Sequence, residues 1–136
     1  MRISVTSDVH GNQRALNADL ADLPARDVDL TVNLADILSG VLQPKETADR
    51  LIPLDLPTVR GNHERQVLTD SPDKMGLADR LARDAMTAEH SDGFEALPPP
   101  LEISKDVLAF HGSPPMTSPT CSRRLTQMGC GPRPRE

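Results

Sequence analysis

The chain has 136 residues, a length that suits one domain with a core of its own. Hydrophobic residues make up 37% and charged residues 26%, and no apolar run is long enough to cross a membrane. The N-terminus lacks a signal-peptide pattern, and Cys121 and Cys130 are too few for a disulfide or zinc framework, which favours a cytoplasmic protein. The net charge of −5 and the absence of Trp and Tyr argue against nucleic-acid scaffold binding.

Charge is distributed unevenly along the chain. Residues 112–136 hold four Arg and one Glu, a local balance of +3, which leaves −8 for residues 1–111. A metal site with several carboxylates would contribute to this acidity, although an acidic solvated surface is the commoner cause.

The first predicted elements are a strand and a helix. Ile3–Thr6 alternates apolar and polar residues, which is typical of a strand. Asn12 is placed to cap a helix that runs to about Leu23, because Pro24 ends the helical pattern.

The middle of the chain continues the alternation of strands and helices. The apolar run 28–34 predicts a second strand, and Pro44 predicts the start of a short helix that ends before Pro53. Residues 57–59 form a third, short strand in this interpretation.

The last third predicts one helix and one hairpin. Apolar residues at helical spacing predict a helix over 76–90. Residues 101–103 and 107–110 read as two strands joined by a turn at 104–106. Strands that alternate with helices make a largely parallel sheet, so we expect an α/β fold.

Each predicted strand in this scheme, apart from the first hairpin strand, is followed by residue types that bind metals. The four blocks are Asp8-Val9-His10, Asp36, Gly61-Asn62-His63-Glu64 and His111-Gly112. Ligands of such sheets bind at the carboxyl ends of the strands, so the blocks should converge on one rim. Carboxylate, amide and imidazole groups bind divalent cations, and pairs of these cations hydrolyse phosphate esters.

Taken singly, most blocks also have an ordinary structural explanation. Asp8 and His10 point the same way in an extended segment, but a polar loop after a strand has the same composition. Asp36 could cap a helix, and His111 could belong to a turn. The Gly61 block is more specific because glycine permits close approach to a ligand. The order and placement of all four blocks favour the metal site.

On these residues, the chain resembles the calcineurin-like metallophosphoesterase superfamily, especially its small bacterial single-domain branch. The likeness is carried by the segments 7–12, 61–64 and 110–114. The resemblance implies a sandwich of sheets flanked by helices. It also implies two divalent metal ions, commonly manganese, with iron, zinc, nickel and magnesium as alternatives.

The resemblance further implies a metal-binding role for five residues. Asp8 and His10 would bind the first metal, Asp36 would bridge both metals, and Asn62 and His111 would bind the second. The side-chain amide of Asn62 is neutral, so it would limit the negative charge of the metal centre while still giving an oxygen ligand.

Catalytic roles are implied for two neighbouring residues. His63 would lie over the substrate phosphate, where it stabilises charge or protonates the leaving oxygen, and Glu64 would orient it. Arg14 and Arg60 are candidates for phosphate contact, with a solvated surface position as the commoner alternative.

The chain departs from the resembled pattern in two places. Ala35 stands where the family usually has glycine before the bridging aspartate. The family's last motif, a Gly-His-x-His pair that gives each metal one more ligand, has no counterpart after His111. We therefore expect residues 1–114 to be the N-terminal part of a domain that is incomplete at its C-terminus. Residues 115–136 would be a disordered tail or the product of a reading-frame slip.

Three functional hypotheses follow. The leading one is a metal-dependent phosphoesterase that takes phosphate mono- or diesters as substrates, without a nucleic-acid or membrane partner. The alternative is an inactive fragment, or a module that binds metal or a phospholigand, because the last ligand motif is missing. The third is a redox or structural zinc protein built on Cys121 and Cys130.

Overall fold

The computed structural model describes residues 1–113, and the tail predicted over 115–136 lies outside the described residues. Within this range, strands and helices confirm the predicted α/β class. The elements are β1 (Ile3–Thr6), α1 (Gln13–Asp22), β2 (Leu30–Asn33), α2 (Pro44–Leu51), α3 (Asn62–Thr69), α4 (Leu77–Ala85), α5 (Ala88–Glu95), β3 (Pro100–Ser104) and β4 (Val107–Phe110). Short 3-10 turns at Leu23–Ala25 and Ile52–Leu54 follow α1 and α2. None of the helices between residues 1 and 113 has the length and apolar character needed to cross a bilayer.

The parallel layer consists of β1 and β2, with Ile3 opposite Leu30 at one end of the register. The third predicted strand is reduced to a single bridge between Asn33 and Thr58. Pro57 accepts a hydrogen bond from the Asn33 amide at 2.9 Å, but it has no amide hydrogen of its own to donate. The ladder therefore remains short at this edge.

The predicted hairpin is confirmed as the antiparallel pair β3 and β4. It forms a sheet of its own, so the expectation of one largely parallel sheet is wrong for residues 1–113. Ala109 of β4 packs with Ala35 and Val59 in a small apolar cluster, and Leu101 and Ile103 pack against it. This packing, and not strand pairing, brings the end of β4 to the ends of β1 and β2.

Helix α1 begins as predicted. The Asn12 side chain accepts a hydrogen bond from the Ala15 amide at 3.0 Å, which satisfies one of the free amides at the helix start. Leu16 is fully buried and belongs to the main apolar core, which α1 shares with α2 through Ala48 and with α5 through Phe94.

The helix predicted over 76–90 is in fact two helices. Met86 and Thr87 are extended, and the Thr87 hydroxyl accepts a hydrogen bond from the His90 amide at 3.2 Å, so that it caps α5. A threonine in this position favours a new helix start over the continuation of the old one.

Helix α4 buries a partly polar face. Leu77 and Leu81 are 67% and 42% exposed, whereas Asp79 and Ala82 on the other face are buried. The spacing of apolar residues indicated helical structure here, but it did not show which face packs inward.

A buried histidine joins α2 to α5. His90 is buried and its Nε2 donates to Asp49 at 2.9 Å, while the Lys45 ammonium donates to the other Asp49 oxygen at 2.6 Å. The hydrogen bond from Lys45 lowers the pKa of the Asp49 carboxyl, and the hydrogen bond from His90 acts in the same direction.

Replacing Asp49 with asparagine should lower the melting temperature at neutral pH. Because the pKa of Asp49 is lower in the folded state than in the unfolded state, its carboxylate stabilises the fold above the unfolded-state pKa. This contribution is lost as the pH falls through the folded-state pKa. The melting temperatures of wild type and Asp49→Asn, measured from about pH 7 down to about pH 3, should therefore converge at the acid end.

The matched control is Asp92→Asn, which removes an exposed carboxylate from α5. It should leave the melting temperature close to that of wild type at every pH. A gap between wild type and Asp49→Asn that stays constant with pH would contradict the assigned role of this carboxylate.

Candidate metal centre

The loops that follow β1 and β2 run side by side beyond the sheet. The Asp8 amide donates to the Ala35 carbonyl at 3.0 Å, and the His10 amide donates to the Asp36 carbonyl at 2.9 Å. These backbone hydrogen bonds continue the pairing of the two strands past their carboxyl ends. The first two sequence blocks are thereby held next to each other, as the strand-end argument predicts.

Four non-glycine residues in these loops have left-handed backbones. The φ angles are 55° at Asp8, 49° at His10, 77° at Ala35 and 52° at Asp36. Each such residue costs roughly 1–3 kcal/mol, and such strain tends to cluster at functional sites. The buried Asn33 side chain stabilises the backbone at Ala35, because its Oδ1 accepts a hydrogen bond from the Ala35 amide at 3.1 Å. A left-handed backbone at residue 35 also explains why glycine suits this position.

Asp36 is the most central side chain of the site. It is only 4% exposed. One carboxylate oxygen accepts a hydrogen bond from the His63 amide at 3.3 Å, and the other lies 3.2 Å from His111 Nε2. A methyl group at residue 61 would overlap the Asp36 carboxylate, so the segment Gly61-Asn62-His63-Glu64 needs a glycine at its first position.

Three imidazole rings around Asp36 are each fixed through Nδ1. Because their partners are oxygens that only accept, Nδ1 donates a hydrogen bond in every case, and Nε2 is the ring nitrogen that remains to bind a ligand. The pairs are His10 with the Ser39 carbonyl at 2.7 Å, His63 with Asp79 Oδ1 at 2.8 Å and His111 with the Leu34 carbonyl at 2.6 Å. Metal-binding histidines are commonly oriented by such a second hydrogen bond.

Around His111, three hydrogen-bond acceptors face one another. Its free Nε2 lies 3.2 Å from Asp36 Oδ2 and 3.1 Å from Asn62 Oδ1. With a neutral ring, no hydrogen is available to join these three atoms. They repel one another unless a proton or a cation lies between them, and a divalent cation accepts all three donor types.

The residues form two possible cation-binding groups that share Asp36. In each group the ligand atoms lie within 4.8 Å of one another; the groups are His10, Asp36 and His63, and Asp8, Asp36 and His111. Asn62 adjoins the second group through His111. The structure therefore brings together all five side chains that the sequence analysis named as ligands, and their donor types fit divalent cations.

Glu64 has a different role from the one expected. Its buried carboxylate accepts hydrogen bonds from the amides of Asp36 at 3.1 Å, Ile37 at 2.7 Å and Gly61 at 3.1 Å. It makes no hydrogen bond to the His63 ring among the described residues. Glu64 thus fixes the loop that carries Asp36 to the start of α3, and the orienting role expected for it is corrected.

Asp79 is the partner of His63, and the sequence analysis missed it. It lies in the first turn of α4, is 8% exposed and bonds His63 Nδ1. The His63 ring also stands edge-on to His10, with ring centroids 5.3 Å apart. The sequence offers only a weak signal here, an acidic residue in the first turn of a helix, which is a common position for a carboxylate.

Comparisons with known proteins relate this chain to a family and to a solved fold. A family model described as calcineurin-like phosphoesterase matches residues 1–136. A crystal structure of a metallophosphoesterase from Sphaerobacter thermophilus aligns with a TM-score of 0.69 and 33% sequence identity. That alignment covers 83% of this chain and 47% of the Sphaerobacter chain.

A second similarity is to a curated protein without an assigned function. The uncharacterized protein MJ0912 of Methanocaldococcus jannaschii is 38% identical over 66 residues, which is 48% of this chain and 27% of that protein. The chain aligns with about half of the Sphaerobacter chain and with about a quarter of MJ0912. On the family match over its whole length, this chain belongs to the calcineurin-like phosphoesterase family.

Proposed function

We propose that this chain hydrolyses phosphate mono- or diesters with the help of two divalent cations, manganese by preference. The observation that carries the proposal is the cluster of ligand groups around Asp36, in which His10 and His111 turn Nε2 towards carboxylate oxygens and His63 joins the same cluster. A cytoplasmic location and independence from nucleic-acid scaffolds and membranes remain part of the proposal.

The ligand assignment is the one that the family resemblance implies. Asp8 and His10, whose Oδ1 and Nε2 lie 3.8 Å apart, would hold one cation, Asn62 and His111 the other, and Asp36 would contact both. The ligand atoms of Asp8 also lie within 4.8 Å of those of Asp36 and His111, so the two proposed positions adjoin each other. When bound, such cations polarise the phosphoryl group and activate water at neutral pH. The chain's part is to fix the ligands, and the tethered rings do so before any cation arrives.

His63 would act on the leaving group. Its Nδ1 donates to Asp79, so Nε2 is the atom that faces the site. The ring would act in its doubly protonated form: it would give the Nε2 proton to the leaving oxygen and keep the Nδ1 proton, and the Asp79 carboxylate would stabilise its positive charge before that transfer. Asp79 is a positioning residue in this mechanism because it acts through His63.

A second function follows from the missing last ligand motif. Each cation-binding group within residues 1–113 has only three charged or imidazole side chains. A chain with so few protein ligands would also suit a module that binds metal or a phospholigand without turnover.

Removing the shared carboxylate should abolish hydrolysis. With added manganese, Asp36→Asn should hydrolyse bis(p-nitrophenyl) phosphate at least about 100-fold more slowly than wild type, because both cations lose a charged ligand. It should also retain less manganese per chain after purification, measured by atomic emission. Asp106→Asn, which changes an exposed carboxylate in the hairpin turn, is the matched control.

The two candidate functions give different results in this experiment. Manganese bound by wild type but not by Asp36→Asn, with no hydrolysis by either, would favour the binding module. Equal hydrolysis rates for wild type and Asp36→Asn would remove the enzyme proposal.

Asp79→Asn should separate catalysis from metal binding. An asparagine can turn its amide NH₂ towards His63 and so disturb the proton on Nδ1, and kcat should fall by about 10- to 100-fold. The manganese content should not change, because Asp79 is not in either cation-binding group. Asp84→Asn, an exposed change on the same helix, should leave both values at the wild-type level. An unchanged kcat in Asp79→Asn would show that the pair with His63 does not serve the reaction.

A further inference from the structure

A groove opens beside the metal centre on the side of Asn62 and His111. Its volume is about 360 Å³. It is lined by Arg60, Arg65, Asn62, Pro99, His111 and Gly112, together with the backbone of Gly61. The two residues that reach the candidate second cation therefore also form one end of the groove.

Both arginines have fixed backbones. The Arg60 amide donates to the Pro98 carbonyl at 2.8 Å, which ties it to the segment before β3. Arg65 lies on α3, three residues after Asn62, so the two side chains share one face of that helix. Their positive charges are thus placed at the groove by the same loop and helix that build the metal centre.

Neither arginine is neutralised within residues 1–113. Neither Arg60 nor Arg65 forms an ion pair or a side-chain hydrogen bond with a described residue, whereas Arg26 pairs with Asp22 and Lys45 with Asp49. None of the groove-lining residues is acidic. In a segment that carries a large negative excess, a groove with two free guanidinium groups attracts anions specifically.

A second pocket at the centre has the reverse charge. Its volume is about 340 Å³, it is lined in part by Asp8, Asn12 and Asp19, and no basic residue lines it. A second negative charge on a ligand would be repelled in this pocket and attracted in the groove of Arg60 and Arg65. The two pockets therefore differ in the ligand charge that they favour.

We propose that the groove of Arg60 and Arg65 binds a second anionic group, a phosphate, carried by the substrate next to the phosphate that is cleaved. This inference rests on the proposed hydrolase function for the position of the first phosphate. The substrate class it specifies is a phosphate ester with another phosphate within a few bonds of the scissile one. Planar guanidinium groups suit this task because they bind phosphate oxygens in pairs.

The test uses two ligands that differ in one anionic group. Propylphosphonate and propane-1,3-diyl bisphosphonate are not hydrolysed, so calorimetry with the manganese-loaded chain measures binding alone. Wild type should bind the bisphosphonate about tenfold more tightly than the monophosphonate, as expected for two partly exposed ion pairs. In Arg60→Gln/Arg65→Gln the ratio should fall to about two, the statistical factor for two equivalent phosphonates.

Two controls keep the result specific. Arg26→Gln removes one positive charge at the opposite ends of β1 and β2 and should retain the wild-type ratio. The single variant Arg65→Gln changes an exposed side chain and should give an intermediate ratio even if the double variant folds poorly. A rise in ionic strength to about 0.5 M should reduce the wild-type ratio, because exposed ion pairs are screened.

A wild-type chain that binds both ligands equally, or a double variant that keeps the tenfold ratio, would overturn the proposal. The hydrolase proposal fails separately, through equal hydrolysis rates of wild type and Asp36→Asn. In that case an arginine-dependent preference for the bisphosphonate, measured also after removal of metal with a chelator, would still support the groove.

Discussion

The buried carboxylate of Glu64 is the contact on which the rest of the site depends. It accepts hydrogen bonds from amides in two segments, the loop after β2 that carries Asp36 and the turn at Gly61 that begins α3. Without it, three amides would be left without partners at the protein interior, and each would cost about 1–3 kcal/mol. The sequence places a glycine, an asparagine, a histidine and a glutamate in a row because each meets a separate demand of this junction. The glycine leaves room for two carboxylates, and Asn62 and His63 lie at the candidate metal centre.

The second constraint is electrostatic. The fold turns the free nitrogens of tethered imidazoles towards carboxylate and amide oxygens, and it holds strained left-handed backbones at the same place. An arrangement of acceptors without hydrogens is unfavourable in isolation and becomes favourable when cations bind. Metal binding should therefore stabilise the fold around Asp36 as well as supply chemistry. The same reasoning explains why the tethers reach backbone carbonyls such as those of Ser39 and Leu34, whose positions are set by the loops themselves.

Sequence patterns anticipated the parts of the molecule that local chemistry determines. The cap at Asn12, the hairpin and the convergence of strand-end blocks follow from short-range rules, and the structure agrees with them. Contacts between distant segments could not be read in the same way. Asp79 is marked by no motif, since its importance comes from where α4 packs. Leu77 is exposed although it belongs to the apolar spacing that predicted the helix, because such spacing does not say which neighbour a helix meets. The role of Glu64 was misassigned for the same reason: adjacency to His63 in sequence does not place two side chains of a helix on one face.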